Sequence, residues 1–162
     1  MNKKLFLFDA DETLWHTKNK DYISSKTSKL KFVDPRLILR QIDGQKIYLG
    51  KNIVEVFKLL SDTGHLAGIV SDNQKSMVVE ALKLFKLWPY IDINSVNVRL
   101  WRGYCPKHVM VEEIMKKTHI SMNDVYWFDD KDYKKEADTI GVNFVHVASL
   151  IDIYKIVKDL LG

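Results

Sequence analysis

The stretch Leu5-Phe6-Leu7-Phe8-Asp9-Ala10-Asp11-Glu12-Thr13-Leu14-Trp15 decides how this chain is read. Four consecutive apolar residues fit a short strand buried on both faces, as in parallel sheets covered by helices. The run stops at two carboxylates, Asp9 and Asp11, followed by a hydroxyl at Thr13. A buried strand ending this way sets acidic groups at its carboxyl end, the edge where ligands sit in open α/β sheets. Asp and Thr are also ordinary turn residues, so this strand end alone leaves a purely structural reading open. Two carboxylates so close repel each other unless a cation or a shared proton lies between them. A metal ion with an anionic substrate resolves that conflict.

The same sentence is written twice more. Leu66-Ala67-Gly68-Ile69-Val70 is apolar and runs into Ser71-Asp72-Asn73; Val125-Tyr126-Trp127-Phe128 runs into Asp129-Asp130. Between the strands lie helical patterns. Asn52-Ile53-Val54-Glu55 has the form of a capping box before Val56, Phe57, Leu59 and Leu60, with a stop near Gly64. Met77, Val78, Ala81, Leu82 and Phe85 line one face of a helix over 76–85, broken at Trp88-Pro89. Tyr90 to Leu100 alternates weakly as a strand. Pro106 opens the next helix at a favoured first position, with Lys107 one residue on. A polar helix over 132–140 stops at Gly141, a strand follows at 143–147, and Ser149 and Asp152 cap a last amphipathic helix. Strands and helices thus alternate along the chain. The expected fold is α/β, a three-layer Rossmann-like parallel sheet with helices on both faces.

One segment interrupts that alternation, an insert over 16–51. Residues 16–34 are rich in lysine, serine and threonine and read as a loop with little structure of its own, placed to cover the first strand's acidic end. Leu37 to Ile42 and Gln45 to Leu49 flank Asp43-Gly44, which predicts a small β-hairpin through a type I′ turn. With 162 residues the chain is expected to form a single domain, 1–162, with a sizeable core.

Bulk composition narrows the function classes. A net charge of +4 favours anionic ligands, yet no block of like charges argues for nucleic acid. Lys3-Lys4 before an apolar run imitates a leader, but Asp9 ends that run after four residues. No apolar run approaches the ~20 residues that span a bilayer. One cysteine, Cys105, permits no internal disulfide and fits a reducing compartment, so a cytoplasmic protein is expected. Nothing asks for more than a monomer. His65, His108, His119 and His146 lack metal-ligand spacing. Trp15, Trp101 and Tyr104 are candidates for the pocket mouth, with packing against the loop the alternative.

Parallel strands bring their carboxyl ends to one edge, so Asp9/Asp11, Ser71, Lys107 and Asp129/Asp130 should converge. Their chemistry is complementary. Carboxylates from two strands suit Mg²⁺, which prefers oxygen ligands. Lys107 brings positive charge for a phosphate, Ser71 can donate to a phosphoryl oxygen, and a remaining carboxylate can attack phosphorus.

Asp9-x-Asp11-x-Thr13, then Ser71, Lys107 and Asp129-Asp130, resembles the four-motif signature of the haloacid dehalogenase superfamily. It is most similar to the small magnesium-dependent phosphatase branch. Thr13-Leu14-Trp15, the hairpin with its Asp-Gly turn, Phe128-Asp129-Asp130 and Gly141-Val142 carry that likeness. The resemblance implies Asp9 as nucleophile and Asp11 as general acid and then base, its backbone carbonyl also on the metal. It implies Asp9, Asp11, Asp129 and Asp130 around Mg²⁺, and Ser71, Asp72, Lys107 and Thr13 as substrate-binding residues, Thr13 by stabilising the loop. The substrate would be a small phosphorylated molecule or a phosphotyrosyl group. Lys131-Asp132-Tyr133-Lys134 departs from the branch, where an acidic residue and an Asn follow the Asp pair. The alternatives are a phosphate-binding or regulatory protein without efficient turnover, and a signalling receiver domain. A receiver domain would carry its acceptor Asp on the middle strand rather than the first.

Overall fold

The computed structural model describes residues 2–18, 29–99, 105–148 and 152–162. The expectations for residues 19–28, Trp101, Tyr104 and Ser149 lie outside those residues.

Five strands form the main sheet: β1 (Leu5–Phe8), β6 (Leu66–Ser71), β7 (Ile91–Val98), β8 (Val125–Asp129) and β9 (Asn143–His146). Their order is β7-β6-β1-β8-β9, and every neighbouring pair is parallel. The first strand of the chain is therefore central, with its four residues buried. Its side chains alternate between two cores, as the period of two requires. Phe6 and Phe8 pack with Phe128 and with helices α1 (Ile53–Asp62), α2 (Lys75–Leu84) and α5 (Ile153–Leu161). Leu5 and Leu7 pack with Trp127 and with α3 (Lys107–Thr118) and α4 (Lys134–Ile140) on the opposite face. This is the expected three-layer arrangement. Glycine is required at Gly68, where an added methyl would overlap the Ser95 carbonyl oxygen and Cβ and the Leu7 side chain. At that point the register of β6 on β7 shifts.

The insert is larger than a hairpin. β2 (Trp15–Thr17), β3 (Leu30–Asp34), β4 (Leu37–Arg40) and β5 (Lys46–Leu49) make an antiparallel sheet in the order β2-β5-β4-β3. Both ends of the expected 16–34 loop are thus strands. Their signal is weak because β2 has three residues and β3 buries only Leu30, its composition being that of a charged edge strand. The sheet shares the α1/α2 core through Trp15, Leu30, Ile38, Ile47 and Leu49. Glu80 of α2 accepts a hydrogen bond from Leu30 N at 3.3 Å.

Three local expectations are corrected. The Asp43-Gly44 turn is not type I′, since Gly44 takes a positive φ of 67° and Asp43 does not. Asp43 instead holds a wider loop, accepting from Arg40 Nε at 3.0 Å and from Gln45 N at 3.1 Å. The Arg40 guanidinium and the Gln45 N–H hold its carboxyl at about 2. Asn52 precedes α1 with φ 57° and makes no side-chain cap, so the capping box is not formed. Its contribution is tolerance of the left-handed backbone. Pro106 is the N-cap of α3 rather than its first residue, which makes Lys107 the first helical position.

Candidate active site

β1, β6 and β8 end on the same edge of the sheet, and the polar residues that follow them meet there. Asp9 N donates to the Phe128 carbonyl at 2.9 Å, which locks the first acidic residue against the neighbouring strand. Asp9 is 4% exposed, Ser71 1%, Lys107 5% and Asp129 0%. Groups so buried hold charge only when paired. The pairing centres on Lys107. Its Nζ lies 2.8 Å from Asp9 Oδ1 and 2.7 Å from Asp129 Oδ2. Asp72 Oδ1 lies 3.8 Å away, and the Tyr133 ring centroid 5.4 Å away. Burial alone would push this ammonium towards neutrality; the Asp9, Asp129 and Asp72 carboxylates outweigh it and raise its pKa.

Asp129 is fixed by three donors. Trp127 Nε1 donates to Oδ2 at 3.2 Å, Lys107 to the same oxygen, and Lys131 N to Oδ1 at 3.0 Å. Burial and then the Asp9 charge push its carboxyl up to about 7, against the pull of Lys107. The same two causes raise Asp130. His146 Nε2 lies 2.9 Å from the Asp130 carbonyl and ties the β8 turn to β9. Asp9, Asp129 and Asp130 each offer a carboxylate oxygen within 4.8 Å of the others. Three hard oxygen donors from two neighbouring strand ends, with the Asp129 and Asp130 carboxyls raised by burial and then by the Asp9 charge, fit a divalent cation such as Mg²⁺.

The remaining sequence candidates divide. Asp11 is buried at 5% exposure, but its carboxylate stands outside that acidic triad. It accepts from Trp15 Nε1 at 2.9 Å and from Asn73 Nδ2. Thr13 is buried with its Oγ1 unpartnered among the described residues. The loop is held by its backbone instead: Leu14 N donates to Ala10 O at 2.9 Å and Glu12 N to Trp15 O at 2.7 Å. Asp72 is at the rim, between Lys107 and Lys131, each Nζ at 3.8 Å. Asp132 is exposed and caps Lys134 N at 3.0 Å. Trp15 packs in the core against Phe85 rather than lining a mouth, whereas His16 is exposed and stacks on Tyr48.

Asn73 was missed by the sequence reading. It is 2% exposed and reaches Asp11 from the β6–α2 turn. Its one signal is an amide two residues beyond a buried strand, a position where Asn more often closes a turn.

The family model described as acid phosphatase matches residues 2–157. No curated protein matches the chain. Among solved structures, an uncharacterized protein from Listeria monocytogenes serotype 4b is 15% identical with a TM-score of 0.70, covering 98% of this chain and 97% of its own. A haloacid dehalogenase superfamily hydrolase from Geobacter sulfurreducens is 21% identical, TM-score 0.56, over 72% of this chain and 57% of its own. The N-terminal part of a Bacteroides fragilis protein, containing a phosphatase domain complexed with Mg, is 17% identical, TM-score 0.58, over 91% and 36%. These likenesses concern the fold. With the family match over nearly the whole length, the chain belongs to the acid phosphatase family, and its fold is similar to that of a haloacid dehalogenase superfamily hydrolase.

Proposed function

We infer that this chain is a phosphomonoester hydrolase working through an aspartyl-phosphate on Asp9, with 1–162 as one catalytic domain. The observation that carries the reading is the ion pair of Lys107 with Asp9 and Asp129 at 2.8 and 2.7 Å, beside Asp130 and Ser71 on one sheet edge. An anionic phosphoryl group needs both a nucleophile and positive charge at that edge. A carboxylate oxygen of Asp9 forms the new bond to phosphorus as the ester P–O bond breaks. The bond pair leaves on the ester oxygen, which takes a proton from the Asp11 carboxyl. Water then gives a proton to Asp11 and attacks phosphorus, which restores the Asp9 carboxylate and frees inorganic phosphate. Lys107 and Ser71 bind phosphoryl oxygens throughout, and Asp72 sets the charge at the rim.

Asp9, Asp129 and Asp130, with the Asp11 backbone carbonyl, would hold Mg²⁺. When bound, it supplies positive charge that offsets the crowded carboxylates and the phosphoryl oxygens. The insert is a small four-stranded sheet, and the substrate class in this reading is a phosphotyrosine-like or sugar-phosphate monoester.

Hydrolysis of p-nitrophenyl phosphate with and without Mg²⁺, by the natural sequence and by Asp9→Asn, tests this. Metal-dependent release that disappears in the variant is expected. Phosphate binding without release under any divalent metal would overturn turnover in favour of a binding protein. Undiminished release from Asp9→Asn would overturn the mechanism.

A further inference from the structure

Asp9 and Asp11 are two residues apart and both buried, yet they are given to different partners. Asp9 goes to the Lys107 ammonium. Asp11 goes to two neutral donors, Trp15 Nε1 on Oδ1 at 2.9 Å and Asn73 Nδ2 on Oδ2. Both carboxylate oxygens are thus addressed from opposite elements, β2 of the insert and the β6–α2 turn.

Each donor is itself immobilised. The Trp15 side chain is in the core beside Phe85, and its carbonyl takes the Glu12 N–H at 2.7 Å. Asn73 accepts the Gln74 N–H on its own Oδ1 at 2.6 Å. A backbone N–H can meet only the oxygen of that amide, so the NH₂ end must face Asp11. A carboxylate with a donor on each oxygen has one permitted plane and rotamer.

We propose that Trp15 and Asn73 are positioning residues that fix the plane of the Asp11 carboxyl for proton transfer to the leaving oxygen. The inference rests on the assignment of Asp11 as the acid in the reading above. Proton transfer needs heavy atoms within hydrogen-bond reach, and general acid catalysis contributes about 10²–10⁴-fold when geometry is correct. A carboxyl freed to rotate loses part of that factor only where the leaving group needs the proton. Phenoxide is a poorer leaving group than p-nitrophenoxide, so the loss must depend on the substrate. Damage to the fold or to phosphate binding would not discriminate.

The experiment compares kcat/KM for phenyl phosphate and p-nitrophenyl phosphate, a ratio that reports only steps up to transfer onto Asp9. Trp15→Phe keeps the ring and deletes the N–H; Asn73→Ala deletes the amide from the other side. Each variant is expected to lose at least about tenfold more on phenyl phosphate than on p-nitrophenyl phosphate. Equal losses on both, or none, would overturn the positioning role while leaving the phosphatase reading in place. Absence of hydrolysis in the natural sequence would sink that reading and this inference with it. A second measurement is independent of turnover. The indole N–H resonance lost in Trp15→Phe should move when Asp11→Ala removes its acceptor, and an unmoved resonance would refute the contact itself.

Discussion

The Lys107 ammonium lies 2.8 Å from Asp9 Oδ1, with 2% of the lysine side chain exposed to solvent. The two residues are 98 positions apart in the chain, and the same ammonium also holds Asp129 at 2.7 Å. One buried cation therefore reconciles two carboxylates that would otherwise repel. Lys107→Met preserves the stem and removes the charge. Breaking a buried pair while its partners remain costs about 3–5 kcal/mol. Urea unfolding of the metal-free variant should show a loss of that size, and turnover of p-nitrophenyl phosphate should fall by about a hundredfold or more. Unaltered stability would mean that the carboxylates shed their charge instead of repelling.

Burial and the neighbouring Asp9 charge push Asp129 up from 3.8 to about 7. A carboxyl raised in the folded state binds a proton that the unfolded chain has already released. Its contribution to stability is therefore complete below the unfolded value of 3.8 and is lost as pH rises through about 7. A divalent cation competes for the same oxygens, so Mg²⁺ should bind more tightly as pH rises through that window, with release of a proton. Calorimetric titration with Mg²⁺ at about pH 6 and about pH 8, in buffers of different ionisation enthalpy, checks both the affinity and the proton. Asp129→Asn should weaken the pH dependence, leaving the part that Asp130 contributes, and remove most of the affinity.

His65 titrates in the opposite sense. Its Nδ1 accepts the Lys4 N–H at 3.1 Å, and its Nε2 is buried with no partner among the described residues. The ring meets Phe6 edge-on, with centroids 6.2 Å apart. Burial first, then the Lys4 charge, lower its pKa below 6.5. A lowered histidine is neutral in the fold and protonated in the unfolded chain, so its stabilisation is present above 6.5 and lost as pH falls below it. His65→Gln should unfold with a weaker loss between about pH 7.5 and about pH 5 than the natural sequence does. Parallel losses in the two proteins would assign the acid sensitivity elsewhere.

The frame and most of the edge are legible in the chain before it folds. Leu5–Phe8, Leu66–Val70 and Val125–Phe128 are legible because a strand buried on both faces is apolar throughout, whatever its neighbours. The residues ending those runs were legible for the same reason, since parallel strands share one edge. Which residues meet follows from the folded arrangement. β2 and β3 have little apolar signal because their strand character comes from pairing with β5 and β4. Asn73 joins Asp11 across 62 positions only because β6 lies beside β1 in the order β7-β6-β1-β8-β9. Local composition fixes whether a segment is buried and extended. The partner of each buried charge or donor depends on strand order and on the turn that follows each strand, which no local pattern encodes.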